Sequence, residues 1–371
     1  MEYNSQNTIA LAKRINNTKR SFLIVNPLQA KHIAVSPTAA LEMMTALADK
    51  LYDSYRGRRV LVIGFAETAT AISAVCAKAF DGAAYITTTR EHLGEDGFTG
   101  FLEEHSHAAE QCIYSDFLLR SVSDGCVIIF VDDELSTGRT LLNIIGATKK
   151  QLNDRAENVT LAAASIINRM SAADLDRFRA AGVQTHFLVR ADGEDFDTAV
   201  ADCNVSPAPV ADDSFDVPAL RSVNGISDPR FGVSAEEYVR SCHALSQKII
   251  SELDAEISSA ESVLVMGTEE CMYPAIYLGS ETERRYKGKT VRTHSTTRSP
   301  IGILGGRDGY PIQSGYSLAS FYDKDRTTFI YNTAEYDMVI VVTDSRDVPD
   351  TALRRLNRIF GGKVVVYRWT E

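Results

Sequence analysis

One segment, Val127–Thr140, constrains the fold of this chain more than any other part of the sequence. It begins with the apolar run Val127–Val131, which predicts a buried strand of a parallel sheet that is covered on both faces. The acid pair Asp132-Asp133 follows, at the carboxyl end of the strand, where open α/β sheets bind their ligands. The small loop Ser136-Thr137-Gly138 then leads into an amphipathic helix. The segment predicts an α/β fold with a ligand site at this strand end.

The residue types in this segment suit a phosphorylated sugar. Backbone N–H groups of a small, flexible loop can converge on an anion, and the positive end of the following helix adds to the attraction. Asp132 and Asp133 can accept hydrogen bonds from sugar hydroxyls. A Walker-type loop is excluded, because it needs a Lys-Ser/Thr pair before the helix and no preceding acids. The alternative is a buried strand that ends in an ordinary acidic turn.

At these residues the chain resembles the type I phosphoribosyltransferases, whose signature is this strand, acid pair and Thr-Gly loop. The resemblance implies a parallel, doubly wound sheet and a site for phosphoribosyl pyrophosphate (PRPP). It implies that Asp132 and Asp133 hold the ribose, with Mg²⁺ bound near them through PRPP. The residues that it assigns to the 5′-phosphate are Ser136, Thr137, Gly138, Arg139 and Thr140.

Composition limits the other possibilities. The 371 residues suffice for two domains, and 44% hydrophobic with 24% charged residues is typical of a globular protein. The net charge of −10 argues against nucleic acid as a partner. No apolar run approaches the ~18 residues that span a bilayer, and the first residues lack a signal-peptide core. Six cysteines without a CxxC pair predict a reduced, cytoplasmic protein.

Strands and helices alternate along the chain, which predicts a parallel, doubly wound sheet. We expect a transferase domain over residues 1–204, a proline-rich and acidic linker over 205–225, and a second α/β domain over 226–371. The second domain repeats the order of elements in the first, but its acid Asp344 is followed by no Thr-Gly loop. The second domain is therefore expected to be a degenerate copy of the first.

Two strand ends in the first domain could hold pyrophosphate. The turn Gly64-Phe65-Ala66-Glu67-Thr68 precedes a helix and offers backbone N–H groups, although it could equally be a plain βα turn. Arg90 ends the next strand and could clamp pyrophosphate with its forked donors, or it could be solvated.

The segment 90–123 contains an insert too long for a simple connection, as expected of a lid. Type I phosphoribosyltransferases have a flexible hood here. His105 and His107 could contact pyrophosphate or the leaving group, and together with Arg90 they are the candidate catalytic residues. Surface histidines on a hood helix are the alternative. The His-x-His pair could also bind a metal, but no third ligand is evident.

Three basic residues are candidates for the acceptor site. Lys31 and His32 lie early in the chain, where such enzymes often build base-recognising structure. Arg298 follows a strand end in the second domain and could recognise a carboxylate or phosphate. Each of the three could instead be a solvated or packing residue.

The whole chain resembles a bacterial family found with tellurite-resistance gene clusters, which joins an orotate-phosphoribosyltransferase-like domain to a TRSP domain. The residues that carry this resemblance are Asn26-Pro27, Lys31-His32, Glu104-His105-Ser106-His107, Asp132–Thr140, Gly267-Thr268-Glu269-Glu270, Thr297-Arg298-Ser299-Pro300 and Tyr331-Asn332. The resemblance implies a pathway that makes a nucleoside-like small molecule.

The sequence therefore predicts a Mg²⁺-dependent phosphoribosyltransferase that joins ribose 5-phosphate from PRPP to an unidentified base-like acceptor. We expect a homodimer. Two alternatives stay open: a PRPP-binding regulatory sensor without turnover, and a phosphorylase-like or phosphatase activity on a ribosyl phosphate.

Overall fold

The computed structural model of the protein describes residues 2–15, 20–94, 96–101, 111–191, 193 and 195–370. In these ranges the strands are β1 (Ala10–Lys13), β2 (Phe22–Val25), β3 (Val60–Gly64), β4 (Ala84–Thr87), β5 (Phe98–Phe101), β6 (Gln111–Tyr114), β7 (Val127–Leu135), β8 (Thr160–Asn168), β9 (Val183–Arg190), β10 (Ala219–Asn224), β11 (Val233–Ser234), β12 (Ser262–Gly267), β13 (Thr290–Ser295), β14 (Gly315–Ala319), β15 (Thr327–Tyr331), β16 (Met338–Thr343) and β17 (Val364–Thr370). The α-helices are α1 (Ser5–Thr8), α2 (Pro37–Tyr55), α3 (Thr70–Lys78), α4 (Ser115–Ser121), α5 (Arg139–Leu152), α6 (Ala172–Ala180), α7 (Phe196–Ala201), α8 (Ala235–Glu252), α9 (Asp254–Ser259), α10 (Tyr273–Arg285) and α11 (Asp350–Ile359).

The chain packs into two compact units that take alternating segments of the sequence. The first unit consists of Met1–Asn4, Glu42–Gly193 and Ser227–Arg240, and the second of Ser5–Leu41, Glu194–Ile226 and Ser241–Glu371. Within the first unit, Phe231 packs edge-on against Phe98 and Tyr114, with 5.6 and 5.7 Å between ring centroids. The two units are defined by packing and do not test the predicted domain limits at 204 and 226, which stay a prediction.

The sheet of the first unit has the strand order β11-β4-β3-β7-β8-β9. Strands β4 to β9 in this order are parallel, and the short β11 pairs antiparallel with β4 at the edge. The side chains of Leu61–Ile63 and Val127–Val131 are completely buried, as expected for central strands covered on both faces. The predicted fold class, α/β with a parallel sheet, is confirmed.

The sheet of the second unit is parallel throughout, with the order β10-β17-β16-β12-β13. Its run β13-β12-β16-β17 has the same chain order and sheet order as β4-β3-β7-β8 in the first unit. Each unit also carries an antiparallel hairpin after the second of these strands, β5–β6 in one and β14–β15 in the other. The two units therefore share one topology.

Two local features differ from the sequence-based expectations. Residues 219–224, inside the predicted linker, form β10 at the edge of the second sheet, and most of this strand is exposed. An exposed edge strand needs no apolar alternation, so the sequence carries no signal for it. The sequence pattern over residues 234–257 predicts one long helix, but the structure has two, α8 and α9, which are separated at Leu253. In the described part of the chain, no helix is long and apolar enough to cross a membrane.

Candidate functional site

The acid pair lies on an extension of the central strand β7. This strand continues past the predicted end to Leu135, because Asp132 pairs with Ser165 and Leu135 with Asn168 of β8. Asp132 and Asp133 are half-buried, and the Asp133 backbone N–H donates to Asp132 Oδ1 over 2.9 Å. Burial and then the neighbouring Asp133 raise the pKa of Asp132 well above its usual range. The strand end thus concentrates negative charge where a hydroxyl donor or a cation stabilises it.

The loop after β7 is shaped by a single glycine. Gly138 has a φ of +66°, in the left-handed region that favours glycine, and it is the N-cap of α5. A Cβ at this position would lie 2.4 Å from Cε2 of Phe178. Thr137, Arg139 and Thr140 are exposed. The first turn of α5 contains no acidic residue, so no side chain there competes with an anion at the helix N-terminus.

The turn between β3 and α3 is held by its neighbours on both sides. Phe65 N–H donates to Val131 O over 3.0 Å, and Ala66 N–H donates to Thr88 Oγ1 over 2.9 Å. Gly64 lies so close to α3 that a Cβ would meet Ser73 Oγ at 2.0 Å. The peptide bond between Ala66 and Glu67 is cis. Gly64, Phe65 and Ala66 are buried, whereas Glu67 and Thr68 are partly accessible.

The hairpin of β5 and β6 begins beside this turn. Thr89 exchanges two backbone hydrogen bonds of 2.9 Å with Cys112, at the start of β6. Thr88 Oγ1 donates to Gln111 Oε1 over 2.6 Å. Arg90 follows and its side chain is exposed. The carboxyl ends of β3, β4 and β7 therefore place the predicted pyrophosphate turn, Arg90 and the acid pair at one sheet edge. His105 and His107 lie outside the described residues.

The three predicted acceptor residues all pack in the second unit. Lys31 is 1% exposed, and its Nζ donates to the backbone oxygens of Glu269 and Thr296 over 2.9 and 3.0 Å. His32 is buried, and its backbone oxygen accepts a hydrogen bond from Asn332. Arg298 donates to Glu269 and Glu270. The ammonium of Lys31 and the guanidinium of Arg298 are therefore both bound to groups of the second unit itself.

Two residues near the acid pair were not predicted. Arg169 follows β8 and forms an ion pair of 3.1 Å with Glu134, with both side chains largely buried. The signal that could have identified it is its position directly after β8, the strand that pairs with β7. Ser165, also in β8, is fully buried at the register position of Asp132. Both residues extend the polar edge of the sheet beyond the predicted set.

Among the described residues, no group of three or more His, Cys, Asp or Glu side chains could hold a metal ion. A hard cation such as Mg²⁺ commonly takes only one or two carboxylates from a protein, and its other ligands from phosphates and water. The oxygen donors of Asp132 and Asp133 fit that mode, and the raised pKa of Asp132 marks a charge that a cation would relieve.

Comparisons with protein families identify both parts of the chain. A family model described as phosphoribosyl transferase matches residues 8–193. A second model, described as a TRSP domain C-terminal to that transferase, matches residues 227–359. A comparison with curated proteins gives no match.

Solved structures of purine phosphoribosyltransferases are similar to about half of the chain. Adenine phosphoribosyltransferase from Rhodothermus marinus is 13% identical with a TM-score of 0.37, covering 50% of this chain and 96% of that one. The Giardia lamblia enzyme, complexed with 9-deazaadenine, is 14% identical with a TM-score of 0.35, covering 49% and 93%. A hypoxanthine phosphoribosyltransferase from Staphylococcus aureus is 12% identical with a TM-score of 0.28, covering 45% and 80%. By the two family matches, the chain belongs to the phosphoribosyl transferase family with a C-terminal TRSP domain, and it is a phosphoribosyltransferase.

Proposed function

We propose that the first unit transfers ribose 5-phosphate from PRPP to a nitrogenous, base-like acceptor and releases pyrophosphate, with Mg²⁺ as cofactor. The observation that carries the proposal is the segment from Asp132 to Thr140. In it, a half-buried acid pair is followed by a left-handed glycine and a helix whose first turn lacks acids. This order offers acceptors for ribose hydroxyls and, next to them, donors for a phosphate.

In the transfer, the bond between C1 of the ribose and a pyrophosphate oxygen breaks, and its electron pair leaves with pyrophosphate. A lone pair on the acceptor nitrogen forms the new bond to C1, and a proton carried by that nitrogen passes to the released pyrophosphate or to water. We assign Asp132 and Asp133 to the ribose hydroxyls and residues 136–140 to the 5′-phosphate. The backbone of residues 64–68 and the Arg90 guanidinium neutralise charge on the leaving group, which is the main electrostatic task of such a site.

Mg²⁺ would bind through oxygens of PRPP beside Asp132 and Asp133 and would offset the negative charge of the pyrophosphate. Support comes from the paired carboxylates and from the raised pKa of Asp132. The catalytic role of His105 and His107 stays a prediction. So does an acceptor role for His32, whereas the contacts of Lys31 and Arg298 favour structural roles for those two residues.

We further propose a cytoplasmic homodimer that serves the synthesis of a nucleoside-like metabolite linked to tellurite-resistance clusters. All six cysteines are free thiols and five of them are buried, which fits a reducing compartment. The homodimer and the pathway rest on the family resemblance alone.

The test is pyrophosphate release from PRPP and Mg²⁺ with a library of nitrogenous bases, read against Asp133→Asn. We expect this variant to fold, to bind PRPP more weakly and to lose most turnover. Asp344→Asn is the matched control, because Asp344 ends the corresponding strand of the second unit, and we expect it to retain turnover. PRPP binding without turnover on any base would favour the sensor alternative, and absence of both binding and turnover would refute the proposal.

A further inference from the structure

The strand ends of the second unit reproduce individual hydrogen bonds of the first. Ala66 N–H donates to Thr88 Oγ1 over 2.9 Å in the first unit, and Glu269 N–H donates to Thr296 Oγ1 over 3.1 Å in the second. The backbone N–H of each threonine also donates to the backbone oxygen of the glycine that ends the neighbouring strand, Gly64 in β3 and Gly267 in β12. Glu269 is therefore the counterpart of Ala66, in the turn that we assign to pyrophosphate.

The hairpins are attached in the same way in both units. Thr297 exchanges two backbone hydrogen bonds with Phe329 of β15, as Thr89 does with Cys112 of β6. The residue after each of these threonines is an arginine. Arg298 is consequently the counterpart of Arg90.

The Glu269 carboxylate lies where this correspondence places pyrophosphate. Its side chain is completely buried. Oε2 accepts hydrogen bonds from Arg298 Nε over 2.5 Å and from Arg326 Nη2 over 2.9 Å, and Oε1 accepts one from Ser320 Oγ over 2.5 Å. Two guanidinium groups and a hydroxyl around one buried anion are a donor set that also suits a phosphate oxygen.

The backbone of the turn that carries Glu269 is also held in place. Its φ is +46°, a left-handed conformation that is uncommon for a residue other than glycine. The buried ammonium of Lys31 donates to the backbone oxygens of both Glu269 and Thr296. The glutamate is thus held in place by its backbone as well as by its carboxylate.

The ribose position is also filled from within the chain. Gly267 pairs with Val342 as Gly64 pairs with Val131, so Asp344 corresponds to Asp133. Tyr322 Oη donates to Asp344 Oδ1 over 2.5 Å. A tyrosine hydroxyl therefore supplies the donor that a sugar hydroxyl would supply. Ser320, Tyr322 and Arg326 all belong to the turn of the β14–β15 hairpin.

We infer that the second unit contains a latent diphosphate-binding site, in which Arg298 and Arg326 hold the Glu269 carboxylate in place of a diphosphate. That the displaced ligand is a diphosphate rests on the proposed function of the first unit. The binding of Glu269 by Arg298 and Arg326 does not depend on that proposal. The chain should accordingly bind diphosphate in the first unit only, until Glu269 is removed.

The test is calorimetric titration of the full chain with inorganic pyrophosphate. Glu269→Gly removes the carboxylate and suits the left-handed backbone. We expect it to bind one more pyrophosphate per chain than the wild type, and Glu269→Gly combined with Arg298→Ala to lose that additional site. Glu270→Ala is the matched control: it removes the same charge from the adjacent residue but leaves Glu269 in place, and it should gain no site.

Equal stoichiometry in folded wild type and Glu269→Gly overturns the inference. So does a wild type that already binds in both units, an additional site that persists without Arg298, or a gain in Glu270→Ala. Should Glu269→Gly fail to fold, Glu269→Asn replaces the carboxylate with a shorter, neutral side chain that tolerates the left-handed backbone. Pyrophosphate must then raise its melting temperature more than that of the wild type, and equal shifts refute the inference. A wild type that binds no pyrophosphate counts against the first-unit proposal, while the difference between the proteins still tests this one.

Discussion

Gly138 lies directly against Phe178, so that a Cβ on the glycine would stand 2.4 Å from the ring carbon Cε2. The same glycine has a φ of +66° and begins α5 at the proposed phosphate loop. Backbone conformation and packing thus both require glycine at this one position.

Gly138→Ala should therefore weaken PRPP binding and lower stability together. The left-handed backbone costs about 1–2 kcal/mol for a residue with a Cβ. Overpacking against the ring adds about 1–3 kcal/mol. Thermal unfolding and PRPP titration measure the two effects. Gly146→Ala, within α5 and with nothing within 4 Å of its added Cβ, is the control and should be neutral or stabilising. Equal behaviour of the two variants would contradict the role of Gly138.

Arg90→Ala should weaken pyrophosphate binding roughly 10- to 100-fold, since a hydrogen bond to a charged group contributes about 1.5–3 kcal/mol. The reason is the behaviour of its counterpart, Arg298, which donates to a carboxylate in the second unit. Product inhibition by pyrophosphate measures the effect. Arg56→Ala removes an exposed arginine from the end of α2, before β3 begins, and should change nothing. An unchanged inhibition constant in Arg90→Ala would place this arginine outside the site.

Asp132→Asn should raise the melting temperature of the ligand-free protein at pH 7 while it lowers PRPP affinity. Burial and Asp133 raise the pKa of Asp132, so the folded state binds the proton more tightly than the unfolded state and ionisation is destabilising. Each 1 kcal/mol recovered corresponds to about 2–4 °C. The gain should shrink as the pH falls toward the ordinary pKa of an aspartate, because the raised pKa lets the folded protein take up the proton first. A variant that is less stable than the wild type at pH 7 would contradict the view that ionised Asp132 destabilises the folded state.

His294 should make stability fall as the medium is acidified. Its ring is buried, with Nε2 donating to Tyr331 O and Nδ1 accepting from Ser295 N–H, and burial lowers its pKa to about 4. Between the unfolded value near 6.5 and about 4, only the unfolded state takes up the proton. This residue should therefore remove stability as pH falls, at about 1.4 kcal/mol per unit.

Urea unfolding at pH 7 and pH 5 measures this contribution. His294→Gln should reduce the dependence on pH, whereas His243→Gln, at an exposed histidine on α8, should leave it as in the wild type. Identical slopes for all three proteins would show that His294 is not buried as a neutral ring.

The sequence was sufficient for those parts of the fold that depend on local pattern. The run Val127–Val131 is apolar enough to predict a central strand, and the acids and glycine after it have a fixed order. The burial of Lys31 could not be predicted in this way. Its partners, the backbone oxygens of Glu269 and Thr296, are more than two hundred residues away in the chain, and a backbone acceptor has no sequence signature.

Side-chain partners that lie far apart in the sequence could not be predicted either. Arg298 was expected to recognise an acceptor because a basic residue at a strand end suggests a ligand. Its actual partner, Glu269, lies on the neighbouring strand end of the same sheet. The repeat made the correspondence of the two loops visible in the sequence, but only the folded chain shows that one of them is filled by its own glutamate.

The contact of Phe231 with Phe98 and Tyr114 has a consequence for the order of events on the ribosome. The first unit receives residues 227–240 from beyond residue 204, so it cannot finish folding while the nascent chain ends there. Conversely, residues 5–41 precede most of the first unit in the chain, but two of their backbone partners, Thr293 and Ile301, are synthesised only after it. Synthesis in the direction of the chain therefore completes neither unit early, and shortening the protein at residue 204 would leave an unfinished transferase.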